Sequence, residues 1–415
     1  MTAPVHGLTA VGARSIIDSL SSGVVPRDGA QLFTAGRERW LTSLSEDLDD
    51  LASDECGEGR LRVFIGRNGD GKTHLMQLLR RRALDAGFAV SYVVISAETP
   101  LYRADRVYAA IGSSVTANSK GRQPGLRSIL DPESPDPSIA ADFADRAATI
   151  RRISGIDPRF ASVVYRYCTR QTVNVDQEQD LLLLGSWLEG VPGRLAGMGV
   201  TGQVDASNGA SILRSAVLVL RHFGLRGLVI LVDEVESVLN LRRPQRRDSY
   251  QSLRLLIDRE NLPNHALLVA SMTPPMFTDA DLGIQTYPAL WSRLQPEGRA
   301  DFVNYNSTLV DLTRTPLSED DFFAIGQRIR EIHQYARAWD AADRVSNDFL
   351  RAAAATASQG RLTMVFSPTR VFVKLIAETL ETAHQHPAFT ASAEKLAERF
   401  GQVDESLQHI EGAES

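Results

Sequence analysis

Two hydrophobic periods alternate along the chain. Residues 10–20 place Ala10, Ala13, Ile16, Ile17 and Leu20 at helical steps, and Trp40, Leu41, Leu44, Leu48 and Leu51 repeat that spacing after a loop at Ser22–Gly29. Short apolar runs without a helical period come next. Leu61–Ile65, Ala89–Ser96 (rich in β-branched residues), Gly227–Val232, Ala266–Ser271 and Leu309–Leu312 predict strands. Between them the helical period returns: from His74 to about Ala86, where Gly87 stops it, from Leu101 to Ile111, and through Ser252 to Ile257. Residues 114–140, rich in proline and serine, predict a loop or insertion, and residues 141–223 are mostly helical in pattern, anchored by Tyr165, Tyr167, Trp187 and Leu188. From Ser318 onward the pattern is helical throughout, opening on Ser318-Glu319-Asp320-Asp321, a capping box with Asp in place of Glu.

Composition narrows the class only a little. The 415 residues are 43% hydrophobic and 23% charged, enough for two or three domains, or one domain with a large insertion. A net charge of −6 gives no global sign of a nucleic-acid protein, although a local basic face is compatible with it. The two cysteines, Cys56 and Cys168, are far apart and lack metal spacing, which fits a reducing cytosol. No basic-then-apolar leader opens the chain and no run approaches 18 apolar residues, so the expectation is a soluble, cytoplasmic protein with no membrane contact.

The strongest chemical signal is Gly66-Arg67-Asn68-Gly69-Asp70-Gly71-Lys72-Thr73, which fills every fixed position of G-x-x-x-x-G-K-[ST] between a predicted strand and a helix that begins near His74. Its glycines let backbone N–H groups converge on phosphate oxygens, and the helix N-terminus adds positive charge. Lys72 is placed to reach the β- and γ-phosphates and Thr73 to hold Mg²⁺; His74 follows directly and has no partner at ligand spacing. The second signal is Asp233-Glu234 at the end of an apolar strand. Asp233 is placed to complete the Mg²⁺ site, and Glu234 to orient and activate water.

Weaker candidates follow. After the next strand, Thr273 is the first choice and Ser271 the second for a hydroxyl on the γ-phosphate or attacking water; capping of the following turn is the competing reading. Ser367-Pro368 marks a helix start that puts Arg370 in the first turn, where the helix dipole disfavours a cation unless a phosphate or a carboxylate offsets it. Arg293, with Arg299 as rival, is the candidate to reach a neighbouring subunit's γ-phosphate, against a solvated arginine as the favoured reading. The cluster Arg242, Arg243, Arg246 and Arg247 is a candidate DNA contact, although such clusters are more often solvated. Arg80-Arg81-Arg82 reads as the polar end of a helix.

Leu32-Phe33-Thr34-Ala35-Gly36-Arg37-Glu38 resembles the segment that leads into AAA+ ATPases near the origin-recognition and STAND groups. More narrowly, Arg14–Leu20 with Gly23-Val24-Val25-Pro26, Ser96–Leu101, Trp187–Gly190 and Gly224–Leu228 with Asp233-Glu234-Val235-Glu236 resemble the ATP-binding proteins of BREX-type bacteriophage-defence systems (BrxD-like). The resemblance implies an α/β fold: a P-loop AAA+ core with a central parallel sheet flanked by helices, a helical insertion and a C-terminal α-helical lid. It also implies Val24, Val25 and Pro26 near the adenine, Arg370 as the lid arginine, ATP and Mg²⁺ as cofactors, and work with other defence proteins on or near DNA. The expected divisions are a helical lead-in with the adenine-side loop at 1–52, the core at 53–316 with its insertion at about 114–223, the lid at 317–385 and a tail at 386–415. The leading expectation is an ATP-hydrolysing switch or motor subunit, with homo-oligomerisation open. The alternatives are an ATP-gated scaffold with little turnover that recruits an effector through residues 114–223, and DNA binding as the main activity.

Overall fold

The computed structural model describes residues 8–53, 57–118, 123–131, 137–170, 177–192, 195, 200, 202–295, 302–359, 367–394 and 396–414. Within them the apolar runs form one parallel sheet of five strands, β1 (Arg60–Ile65), β2 (Ala89–Val94), β3 (Leu228–Asp233), β4 (Ala266–Met272) and β5 (Leu309–Asp311), in the order β2-β3-β4-β1-β5. Thus β4 is inserted between β1 and β3, the strands that lead into the glycine loop and the acid pair.

Helices α1 (Ala10–Ser21) and α2 (Glu38–Ala52) precede β1, and α3 (Lys72–Asp85) and α4 (Ala104–Ser114) follow β1 and β2. The chain between α4 and β3 folds into α5 (Leu126–Ile129), α6 (Pro137–Thr149), α7 (Pro158–Cys168), α8 (Gln177–Leu188) and α9 (Gly209–His222). Helix α10 (Arg243–Ile257) joins β3 to β4, and α11 (Pro275–Thr278) and α12 (Pro288–Leu294) lie between β4 and β5. Then come α13 (Glu319–Arg337), α14 (Asn347–Ser358), α15 (Pro368–Gln385) and α16 (Leu396–Glu414). Among the described residues no helix is long and apolar enough to cross a membrane.

Alternation along the strands divides the core. Phe64, Val229, Leu231, Leu267 and Val269 face α2 and α3, where Trp40, Leu44, Leu75 and Met76 pack on them. Val63, Ile65, Ile230, Val232 and Leu268 face the opposite way, toward α4, α7, α8, α9 and α10. Both faces are covered, which is why β3 and β4 are buried along their whole length and read as continuous apolar runs. Each Leu- or Phe-sized side chain buried there contributes about 1.5–3 kcal/mol. Helix α2 is also fastened to β1 by charge: the Arg62 guanidinium donates to both Asp47 oxygens, at 2.6 and 2.9 Å, in a buried bidentate pair.

A third core forms away from the sheet. Ile16, Ile17 and Leu20 of α1 pack with Ile325, Ile329, Phe372 and Ile376 of α13 and α15. The expected capping box is present: Ser318 Oγ accepts from the Asp321 N–H at 3.2 Å and Asp321 Oδ2 accepts from the Ser318 N–H at 2.9 Å. Residues 114–140 depart from a plain loop. Thr116 bridges to Val90 on the β2 edge, Leu126–Ile129 make one helical turn, and Pro137 is the first residue of α6. Proline at a first helical position starts a helix rather than breaking one.

Candidate functional site

The C-terminal ends of the parallel strands open onto a cleft of about 570 Å³. Beyond β1 the chain turns through Gly69 (φ +92°) and Gly71 (φ +96°), left-handed conformations that glycine adopts without strain, and Lys72 then begins α3. Lys72 is 7% exposed, and its Nζ donates to the carbonyls of Gly66 at 2.8 Å and Arg67 at 3.3 Å. The ammonium is thereby held inside the curl of the loop. Asp70 is folded into that curl as well: its Oδ2 accepts from the Arg67 N–H at 2.7 Å and lies 3.6 Å from the Arg67 guanidinium. Buried Arg37 sits on its other side, donating to the Asp70 carbonyl at 3.3 Å and to the Thr315 carbonyl at 2.7 Å. Two cations therefore offset a carboxylate inside a loop built for anions.

Asp233 ends β3, 4% exposed, and collects four donors. Thr73 Oγ1 at 2.8 Å and the Tyr92 hydroxyl at 2.5 Å donate to Oδ2; the Ser271 hydroxyl and the Glu234 N–H, the latter at 3.1 Å, donate to Oδ1. This fixes the plane of the carboxylate and holds it against the first turn of α3. Glu234 has φ +60°, a left-handed conformation that costs a non-glycine residue on the order of 1–3 kcal/mol. The turn separates it from Asp233 and leaves it exposed on the cleft wall. Two residues on, burial pushes the Glu236 carboxyl up to about 7, with Lys72 acting in the opposite sense.

The helices beyond the sheet close the cleft. Ser367 caps α15, and its N–H donates to the Asn68 carbonyl in the glycine loop at 3.0 Å. Arg370, in the first turn of α15, lines the cleft, and a Cβ added to Gly69 would stand 2.6 Å from the Arg370 Cβ. The far wall is apolar: Val24, Val25 and Pro26 line it with Phe33, Ile325 and Val373. His74 lies beneath. Its Nε2 is 2.8 Å from Thr34 Oγ1, whose own proton goes to the Ala30 carbonyl, so the imidazole carries its hydrogen on Nε2. Burial, with Arg37 nearby, pushes its pKa down to about 4, and the ring stays neutral.

Gly69, Asp70, Gly71, Lys72, Thr73, His74, Asp233, Glu234, Arg370 and Val24–Pro26 therefore meet around one cleft. Thr273 follows β4 and is not among its lining residues, whereas Ser271, the second choice, bonds to Asp233. Arg293 lies on α12, paired with Asp258 and donating to the Ala289 carbonyl at 2.6 Å. Arg299 lies outside the described residues. Arg242 is the N-cap of α10, and Arg243, Arg246 and Arg247 lie in its first two turns. Sequence reading assigned no role to Tyr92 or Arg37. Tyr92 carries a signal only when β2 is known to pair with β3, and Arg37 only when its segment is seen to pass under the loop.

A search of curated proteins finds no match. The chain does match the family described as BREX system ATP-binding protein BrxC/D, over residues 10–132 and 137–398. A match of that extent takes in the glycine loop, the acid pair and α15 together. The chain belongs to the BREX system ATP-binding protein BrxC/D family.

Proposed function

We propose that this protein is an AAA+ ATPase: a subunit of a BREX phage-defence complex that hydrolyses ATP and acts as a nucleotide-driven switch or motor on or near DNA. One observation carries the reading. A lysine from the glycine loop, a hydroxyl–carboxylate pair, a second acid turned toward the cleft, and an arginine from a separate helical body share one cavity. The β4 strand inserted between β1 and β3 supports the AAA+ assignment.

In this reading the loop N–H groups and Lys72 bind the phosphates, and Val24, Val25 and Pro26 border the adenine. The donor set near Thr73 and Asp233 is oxygen-only, and the two oxygens lie 2.8 Å apart, which fits a hard divalent cation. Magnesium, when bound, neutralises charge on the β- and γ-phosphates. Thr73 supplies its hydroxyl to the ion and Asp233 orients the ion's water shell. Glu234 orients the attacking water and accepts its proton. Ser271 keeps Asp233 aimed, and Arg370 brings positive charge from the lid. Residues 1–52, 53–316, 317–385 and 386–415 then act as lead-in, core, lid and tail. The DNA contact is assigned to Arg242, Arg243, Arg246 and Arg247.

A second reading, an ATP-gated scaffold with little turnover, draws support from Arg293. That arginine is tied to Asp258 within its own chain rather than left for a neighbour. Turnover by the purified full chain, with and without DNA, separates the two. Tight ATP retention without release of phosphate selects the scaffold, and no ATP binding at all overturns both.

A further inference from the structure

The Asp233 carboxylate has a partner from outside the glycine loop and the acid pair. Tyr92 comes from β2, the sheet-edge strand beside β3, and its hydroxyl crosses to Asp233 Oδ2 at 2.5 Å, the same oxygen that Thr73 Oγ1 reaches at 2.8 Å. The phenol is half-buried and lines the cleft. The register explains the reach. Tyr92 pairs with Leu231, two residues before Asp233 on the neighbouring strand, and a tyrosine is long enough to span that step along the sheet.

A carboxylate oxygen offers two lone pairs in its plane. On Oδ2 one takes Thr73 and the other Tyr92. A Thr73 hydroxyl that ligated a cation through its own lone pair would keep its proton on Oδ2, so Thr73 and the phenol together would hold that oxygen at the edge of the cation site. Removing the phenol leaves Oδ2 with one anchor fewer, although Ser271 and the Glu234 N–H still hold Oδ1.

We propose that Tyr92 is a positioning residue that sets the metal-ion affinity of this site by holding Asp233 Oδ2 in line with Thr73. The proposal rests on the reading of Thr73 and Asp233 as the magnesium-side pair. It places the control of that pair on a strand outside both nucleotide motifs.

The test compares the full-length protein with Tyr92→Phe, which keeps the ring and removes only the hydroxyl. Affinity for a fluorescent ATP analogue is measured in EDTA and in saturating Mg²⁺, and Mn²⁺ binding to the ATP-loaded protein is titrated by electron paramagnetic resonance. The expected result is unchanged metal-free nucleotide affinity and a roughly tenfold loss of Mn²⁺ affinity, the scale of one hydrogen bond to a charged group. Equal losses with and without metal would indicate general damage to the cleft and overturn the proposal, as would unchanged or tighter Mn²⁺ binding. Ser271→Ala, which releases the other oxygen, serves as a second variant and is expected to lower Mn²⁺ affinity in the same direction. A wild-type protein that binds no nucleotide defeats the ATPase reading itself. A wild-type protein that binds metal and nucleotide alongside an indistinguishable Tyr92→Phe variant defeats this inference alone.

Discussion

The Ser367 N–H donates to the Asn68 carbonyl at 3.0 Å, so the first residue of the α15 cap is bonded directly to the glycine loop. Gly69 lies next to that bond, with its φ at +92° and Arg370 against it. Gly69→Ala forces a left-handed alanine, at about 1–2 kcal/mol, and a clash with Arg370. The expected outcome is a loss of ATP affinity of about tenfold or more by calorimetry, with little change in the sheet's far-UV signature. An alanine variant with wild-type affinity would mean that the loop and α15 are not pressed together.

Lys72 and Glu234 should fail differently. Lys72→Ala removes the ammonium held at the Gly66 carbonyl and should weaken ATP binding by about one to two orders of magnitude. Glu234→Gln keeps the side-chain shape and the left-handed turn while removing the carboxylate proposed as base, so binding should persist while the turnover rate falls by about a hundredfold or more. Filter binding and phosphate release on the same preparations read the two effects. Turnover by Glu234→Gln at the native rate would remove Glu234 from the mechanism.

His74 gives a pH dependence with a definite sign. Its folded pKa, about 4, lies below the ordinary histidine value of 6.5, so below pH 6.5 the unfolded chain binds a proton that the folded chain refuses. The contribution to stability is complete above pH 6.5, is lost as pH falls toward 4 and levels off below that. Its ceiling is about 3 kcal/mol. Urea denaturation of the wild type and His74→Gln across that window should show a shallower slope in the variant.

Arg242 and Arg243 are exposed at the start of α10, where the helix dipole adds to their charge. If they contact DNA phosphates, Arg242→Ala with Arg243→Ala should weaken DNA binding evenly across sequences and reduce the slope of log affinity against log salt by about 2. Fluorescence anisotropy over a salt series measures both. An unchanged slope would return the cluster to ordinary solvent exposure.

What the sequence made legible follows from how local each feature is. The glycine loop and the acid pair are contiguous, each fixed by the chemistry of its own few residues, and both sit where the apolar runs predict strand ends. The Ser318 and Ser367 caps are equally local. Tyr92 was not legible because its role depends on which strand lies beside β3, and strand order is a property of the whole sheet. Ser271 was ranked behind Thr273 for a related reason: only the β3–β4 pairing puts its hydroxyl on Asp233. Arg293 meets Asp258 across 35 residues of chain, a separation at which charge patterning carries no information. Proline told two stories, marking helix starts at Pro368 and Pro137 alike, but only the first had a serine immediately before it.

The packing of α1 against α13 and α15 bears on how the protein is made. Ile16, Ile17 and Leu20 are synthesised about 300 residues ahead of the helices that bury them. The sheet and its two covering layers are nearly complete by then, so α1 waits on the ribosome with an apolar face exposed. The wall carrying Val24, Val25 and Pro26 is finished only when the late helices arrive. A truncation that removes α13–α16 therefore strips the partner from α1 and opens the cleft at once, and a nascent chain can close that cleft only after α13 and α15 have been made.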